Sequence, residues 1–378
     1  MFLREYAMRI TLVISSLEAG GAERVMSTMA NYWSARDRQV TILTLSSEAG
    51  DWYGLDTRIK RVGLNLVSNP AHLGEALQNT FKRVARLRRE LCSSLPDVVI
   101  SFGGETNILT LLASAGTSAP VIVSERVDAR HHSIGLVRHA LRYLLYRRAD
   151  GLVVQSHAAR DWGRKLVGSE NVHVIPNPVA VAVHGVVLAA VRPATGRTVV
   201  AMGRLAHQKG FDHLLRAFAK CARKHAAWSL VIIGEGHERT ALERLIAELE
   251  LKDRVTMAGL RQTPARLLQQ ADLFVMSSRY EGFPNALLEA MACGLAVIST
   301  DCPNGPREII RDGVDGVLVQ PEDSDALAAA MDRLMDDQRE RERLGARAVE
   351  VRERFGIEKI MSMWDDLLAH TCGGRAHD

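Results

Sequence analysis

No stretch of this chain comes near the ~18 consecutive apolar residues of a membrane-spanning helix, so nothing in it reads as a transmembrane anchor. Cysteine is sparse. Cys92, Cys221, Cys293, Cys302 and Cys372 are odd in number and scattered, and no two form a C-x-x-C pair. That spacing argues against a disulfide framework or a zinc site and suits reduced thiols in a cytosolic protein. A signal-peptide core is missing as well. The apolar stretch near the start runs only from Ile10 to Ile14, with no small-residue cleavage site after it. It reads as a first strand behind a loose leader, Met1–Ala7. The expected location is therefore the cytoplasm, with attachment to the inner face of a membrane left open. Charge of one sign is lacking too. Lys and Arg number 48 against 44 Asp and Glu, a balance that gives no reason to expect nucleic acid. Short-period repeats and low-complexity tracts are absent.

What is present is enough chain for two domains: 378 residues exceed one ordinary core. Short apolar runs alternate with longer helical patterns. In the first half the expected strands are Arg9–Ser15, Gln39–Leu45, Val98–Phe102, Val121–Ser124, Gly151–Gln155 and Val172–Ile175. In the second they are Val199–Met202, Ser229–Ile233, Arg254–Met257, Leu273–Ser277, Ala296–Thr300 and Gly316–Val319. Most are continuous rather than alternating, which suits parallel strands covered on both faces. Helices between them imply right-handed βαβ units, and so two doubly wound domains. The expected division is 1–180 and 197–356, with the boundary in the stretch holding Pro193, Thr195 and Gly196. A last helix, about 357–370, is a candidate to pack back on the first domain, though no sequence pattern places it there.

The densest motif is Glu281-Gly-Phe-Pro-Asn-Ala-Leu-Leu-Glu289. It joins a strand to a helix starting near Ala286, with carboxylates eight residues apart. Such a turn leaves N–H groups free at the carboxyl edge of a sheet, where phosphate binds. Gly203-Arg204-Leu-Ala-His-Gln-Lys209-Gly210 places two cations after another strand. Arg offers a planar fork and Lys a point charge, together able to neutralise a diphosphate or, equally, to form a solvated loop. Gly20-Gly21 and Gly234-Glu235-Gly236 sit at strand-to-helix turns. Both lack the third glycine of a dinucleotide fingerprint. Asp323-Ser324-Asp325 looks like a metal-holding pair, but just before a helix it reads better as an N-cap. No other cluster has metal-ligand spacing. Val121-Ile-Val-Ser-Glu125-Arg126 ends a strand and leads through Asp128, Arg130, His131 and His132. The loop is either solvated or ligand-facing, with His131 a candidate base. Residues Leu73–Leu91 form an amphipathic helix. Leu73, Leu77, Phe81, Val84, Leu87 and Leu91 make its stripe, and Lys82, Arg83, Arg86 and Arg89 lie opposite. That basic side is a solvated face, or it meets anionic lipid or acceptor phosphates.

In this order, Gly20-Gly21-Ala-Glu-Arg24, Ile175-Pro-Asn-Pro-Val179, Gly203-Arg204 with Gln208-Lys209-Gly210, and Glu281 to Glu289 resemble the retaining glycosyltransferases of family 4. The likeness covers roughly Met8 to Phe355. Cys302-Pro-Asn-Gly-Pro-Arg-Glu-Ile-Ile310 and Ser124-Glu125-Arg126 are similar to a bacterial subset that extends lipid-linked glycans or surface polysaccharides, including the N-acetylgalactosaminyl transferases of N-glycan assembly. The resemblance implies a GT-B fold, α/β, with two doubly wound parallel-sheet domains facing across a cleft. It implies no cofactor, no required metal, and a nucleotide-sugar donor, UDP by default. Arg204 and Lys209 would bind the diphosphate and Glu281 the transferred sugar. Glu289 would bind the ribose. Gly20, Gly21, Gly203, Gly234 and the backbone of Phe283, Pro284, Asn285, Ala286 and Leu287 would line the donor site. Glu125, Arg126, His131, Lys82, Arg83, Arg86 and Arg89 are acceptor-side candidates, for a polyprenyl-diphosphate glycan or polysaccharide. Many family members carry a histidine where Ser124-Glu125-Arg126 stands here. A GT-B-like epimerase or phosphorylase, or a non-catalytic scaffold for glycan or membrane, remains an alternative.

Overall fold

The structure, a computed structural model, describes residues 7–66, 72–127, 135–179 and 196–373. The leader ahead of Ala7, the loop residues Asp128, Arg130, His131 and His132, and Pro193 and Thr195 lie outside the described residues. The chain divides into two compact units. One runs up to Asn177 and resumes at Ile360; the other spans Pro178–Lys359.

The first unit is built on seven parallel strands: β1 (Arg9–Ile14), β2 (Gln39–Thr44), β3 (Lys60–Gly63), β4 (Val98–Phe102), β5 (Val121–Ser124), β6 (Gly151–Val154) and β7 (Val172–Val174). Their order is β3-β2-β1-β4-β5-β6-β7. In β4, β5 and β6 every residue is buried, as continuous apolar strands between two helical layers require. One strand has no counterpart among the expected ones. β3 reads Lys-Arg-Val-Gly, is only partly buried, and pairs with β2 alone. An edge strand with one covered neighbour needs no apolar run, so only its pairing reveals it.

The second unit carries β8 (Arg197–Met202), β9 (Trp228–Ile233), β10 (Val255–Gly259), β11 (Leu273–Met276), β12 (Val297–Thr300) and β13 (Val317–Val319). The order is β10-β9-β8-β11-β12-β13, again all parallel. In both sheets the winding reverses beside the first strand, between β1 and β4 and between β8 and β11. Ligands of open α/β sheets bind at the carboxyl edge of such a switch point.

The helix Ile357–Gly373 starts in the second unit and runs into the first. Trp364, 1% exposed, sets its ring edge-on to Trp33 at 6.5 Å and against Phe102 at 6.3 Å. Beside it the Asp365 carboxylate accepts from Trp33 Nε1 at 2.8 Å and Arg38 Nη1 at 2.7 Å. Trp364→Ala should cost about 3–5 kcal/mol, the usual range for deleting a buried ring. Urea unfolding would measure it, and a loss below ~1 kcal/mol would show that the helix is not integral to the first unit.

Candidate active site

Because β8 and β11 are neighbours, the loops that follow them emerge side by side at the switch point. After β8 the chain passes through Gly203 and Arg204 into a short 3-10 turn, His207–Lys209, closed by Gly210 at φ 61°. An added Cβ at Gly210 would meet the Ser277 carbonyl oxygen at 2.1 Å, so glycine is needed both for the backbone angle and for the close approach. Gly234 is held the same way. Its φ is 149°, and a Cβ there would lie 1.9 Å from the Gly203 carbonyl oxygen. The glycines at 203 and 234 thus pack the turns after β8 and β9 against each other. Gly203 also supports the aliphatic stem of Lys209, whose Cδ would be 3.1 Å from an added Cβ.

Lys209 Nζ donates to Glu281 Oε1 at 2.5 Å. Ser278 Oγ donates to the same oxygen at 2.6 Å. Glu281 is 5% exposed, so its charge is held by these contacts rather than by bulk water. Around the pair, Gln208 Nε2 donates to the Tyr280 carbonyl and Arg279 N to the Gln208 carbonyl. Arg279 is fixed in turn by a two-pronged bond to Asp212 at 2.8 and 2.9 Å. The loop after β12 closes from the other side. Glu281 N donates to the Pro303 carbonyl at 3.3 Å. A Cβ on Gly305, where φ is 90°, would strike the Pro284 ring at 2.6 Å. Neighbouring Cys302 is buried, and burial, with the Glu281 carboxylate adding to it, pushes its thiol up to about 12.

Pro284 caps the helix Asn285–Ala292, which starts one residue earlier than the sequence suggests. The first N–H groups of this helix precede its first internal bond, from Leu288 to the Pro284 carbonyl, so its positive end lies at Asn285. Phe283 turns inward, edge-on to Phe355 at 5.4 Å, and Leu287 is fully buried. Both side chains are thus taken up by packing. Glu289 is buried on the second turn. Arg204 is exposed, and among the described residues no carboxylate pairs with its guanidinium.

In the first unit, Gly20 is the extended residue before the helix Gly21–Ser34. The Glu23 carboxylate folds back over it; an added Cβ at Gly20 would lie 2.1 Å from Glu23 Oε2. Glu125 is not part of an open loop, whether solvated or ligand-facing. Its N–H still donates to the Val153 carbonyl in the strand ladder, which draws the side chain inside. There Tyr146 OH donates to Glu125 Oε1 at 2.5 Å, Asn107 Nδ2 donates to Tyr146 OH at 2.9 Å, and Arg142 Nη1 stands 3.7 Å from that carboxylate oxygen. Burial raises the Glu125 carboxyl above its usual range, with the Tyr146 hydroxyl and Arg142 opposing. Arg126 is buried too. Its guanidinium stacks on Phe102 at 4.2 Å and bonds Asn177, which also takes Gln155 Nε2 at 2.5 Å. Burial pulls Arg126 down to about 9, against the pull of Glu23.

On the helix Leu73–Ser94 the expected faces hold only in part. Leu87 and Leu91 are buried, but Phe81 is 75% exposed. Helical spacing puts Phe81 on the same stripe, but the cover over this helix reaches Leu87 and Leu91 and leaves Phe81 to solvent. Arg83 is tied to the Leu66 carbonyl at 3.0 Å and to Glu105 at 3.2 Å, and Arg86 pairs with Glu90. Lys82 and Arg89 are exposed. Asp323 does cap a helix, accepting from Asp325 N and Ala326 N at 3.0 and 2.8 Å. A further cluster, invisible in the spacing, joins His225, Asp332 and Asp336. Lys224 Nζ already bonds both carboxylates, at 2.9 and 2.6 Å. It lies just past the helix Phe211–Ala222, at the sheet edge opposite the switch point.

The family profile described as glycosyl transferases group 1 matches residues 189–351. That of the glycosyl transferase 4-like domain matches residues 20–178. The chain is a glycosyltransferase of this family. Among similar proteins is an alpha-1,4-N-acetyl-D-galactosaminyltransferase of Campylobacter jejuni, named for a GalNAc-containing glycan on PP-undecaprenol. It is 29% identical over 96% of this chain and 98% of its own length. An exopolysaccharide phosphotransferase of Streptomyces coelicolor is 28% identical over 97% of this chain, which spans only 41% of that protein. Sucrose-phosphate synthase from Thermosynechococcus elongatus matches in fold with a TM-score of 0.83 at 21% identity, over 97% of this chain and all of that one. Anabaena HepE, solved with UDP, matches with 0.74 at 21%, over 96% of this chain and 100% of that one. The transferase therefore has the GT-B fold. Of the residues singled out in its sequence, Gly203, Lys209, Gly234 and Glu281 meet in one place. Ser278 was not singled out, nor were Asn107 and Tyr146, which stand behind the candidate Glu125. Ser278, three residues before Glu281, carried the only available signal.

The raised carboxyl of Glu125 has a measurable consequence. From about pH 4.3, the ordinary glutamate value, up to its higher folded value, the native state keeps a proton that the unfolded chain has lost. Stability from this group therefore falls as pH rises through that window. Glu125→Gln removes the slope, so the variant's Tm should gain on the parent's between pH 4.5 and pH 8; parallel curves would show that Glu125 is ionised in the folded protein.

Proposed function

We propose that this glycosyltransferase moves a hexose or N-acetylhexosamine from a nucleotide sugar, by default a UDP-sugar, to a lipid-linked or polysaccharide glycan with retention of configuration. The observation that carries this reading is the contact between Lys209 and Glu281 at the switch point of the second sheet. It sets a cation for phosphate beside a carboxylate for sugar hydroxyls. Lys209, Arg204 and the amino end of the helix Asn285–Ala292 would take the charge that develops on the departing diphosphate. Glu281 would hold the transferred sugar and Glu289 the ribose, with the Gly20-Gly21 turn serving the phosphates. The acceptor oxygen bonds to the anomeric carbon on the face that the diphosphate leaves, and the leaving phosphate oxygen takes the acceptor's proton. In this scheme fixed cations meet the phosphate charge and no divalent ion is required. The likeness to a transferase named for a PP-undecaprenol glycan supports a lipid-linked acceptor.

The first unit favours contact with an anionic membrane at its cytoplasmic face. The helix Leu136–Leu145 is turned the unusual way round: Arg142 is buried, while Val137, Tyr143 and Leu144 are 74, 51 and 59% exposed. Val137, Ala140 and Leu144 share one side at helical spacing. Exposed Arg147 and Arg148 follow, with Arg147 stacked on Tyr143 at 4.7 Å. An apolar stripe edged by arginine suits the headgroup boundary of anionic lipid.

A panel of nucleotide sugars, run with and without a polyprenyl-diphosphate glycan and read by nucleotide release, tests the reaction. Acceptor-dependent release is expected. Release without acceptor would favour an epimerase, and dependence on inorganic phosphate a phosphorylase. In the same assay Lys209→Ala should lower turnover by ~10² or more with the circular dichroism spectrum retained, and near-normal activity would refute the assignment. For the membrane, Val137→Ser with Leu144→Ser should weaken sedimentation with phosphatidylglycerol vesicles by more than about tenfold, since each side chain buries apolar surface worth over 1 kcal/mol; unchanged binding would locate the contact elsewhere.

A further inference from the structure

Glu281 is reached by two donors, and both use the same oxygen. Lys209 Nζ is 2.5 Å from Oε1 and Ser278 Oγ 2.6 Å from it. Among the described residues no donor reaches Oε2. The two donors differ in what else they can do. The ammonium sits on a flexible stem and has three protons to share. The hydroxyl has one, and Ser278 is fully buried. Ser278 is itself held from the next strand, because Thr300 Oγ1 donates to the Ser278 carbonyl at 2.6 Å. Thr300 ends β12 and is 2% exposed. A chain of short bonds thus runs from the sheet through Thr300 and Ser278 to one oxygen of Glu281.

We propose that Ser278 is a positioning residue for Glu281, with Thr300 behind it. This rests on the reading of Lys209 as a phosphate ligand and Glu281 as a sugar ligand. A donor diphosphate draws the Lys209 ammonium toward itself and weakens its bond to Oε1. Ser278 cannot follow, so its hydroxyl keeps the carboxylate in place while the lysine is shared. With Oε1 occupied on the protein side, Oε2 is left to accept from a sugar hydroxyl. Ser278 then acts on the sugar and not on the nucleotide, although it touches neither. A hydrogen bond to a buried charged group is stronger than one between neutral groups, so its loss should be visible in turnover.

The test compares Ser278→Ala with the parent using two probes: free UDP, by calorimetry, and the sugar donor that the nucleotide-sugar panel selects. The expected result is a UDP Kd within about twofold of the parent's, and a kcat about tenfold lower or more. In a Glu281→Gln background, Ser278→Ala should add less than about twofold, because the two side chains act as one unit. Thr300→Val, nearly isosteric, should give a smaller loss of the same kind. Equal losses in UDP binding and in kcat, or additive losses in the double variant, would mean that Ser278 merely supports the fold, and would overturn the proposal. The underlying reading fails separately: if Glu281→Gln alone keeps normal turnover, Glu281 is not the sugar ligand. If Glu281→Gln is impaired and Ser278→Ala is not, only the positioning role is lost.

Discussion

A lysine and a glutamate held 2.5 Å apart at the reversal point of a parallel sheet set the terms for the second unit. The carboxylate is almost wholly withdrawn from water, a state that is costly unless opposite charge and hydrogen bonds accompany it. Much of the local backbone serves that requirement. Glycines at 210, 234 and 305 let turns approach closer than a side chain would allow, and Gly203 leaves room for the stem of Lys209. Ser278 and the Pro303 carbonyl fix the glutamate's side chain and its N–H. The Arg279–Asp212 fork anchors the first of the two residues between Ser278 and Glu281.

The proposed reaction would need few ligand-facing groups. A diphosphate leaving group asks for positive charge that is in place before the reaction, since preorganised charge needs no rearrangement as the bond breaks. On the proposed reading, exposed Arg204, Lys209 already paired with Glu281, and the amino end of the helix Asn285–Ala292 would meet that need. In the first unit the polar interior has another character. Glu125 and Arg126 lie inside, bonded to Tyr146 and Asn177, and shape the carboxyl edge of that sheet from beneath.

Much of the architecture was legible in the residues because it depends on local pattern. Twelve short runs, most of them continuous and apolar, marked the parallel strands, and the thirteenth, Lys60–Gly63, escaped because it carries two cations and a single large apolar side chain at the sheet edge. Phe81 followed helical spacing faithfully and is still exposed, because periodicity says which residues share a face but not how far the cover over that face extends. Asp323 was readable as a cap since capping is decided within three residues.

By itself the sequence determined the two-sheet α/β plan, the glycine-bearing turns and the identity of the paired acids and cations, all of which follow from short-range spacing. Only the tertiary structure decided that Lys209 meets Glu281 across 72 residues of chain, that Ser278 and Thr300 stand behind that contact, and that Arg142 faces inward while Val137 and Leu144 face out. Those choices turn on which loops a strand order brings side by side and on which surfaces are left uncovered. Neither quantity is encoded in any local stretch of residues, since both arise only when distant segments compete for the same burial.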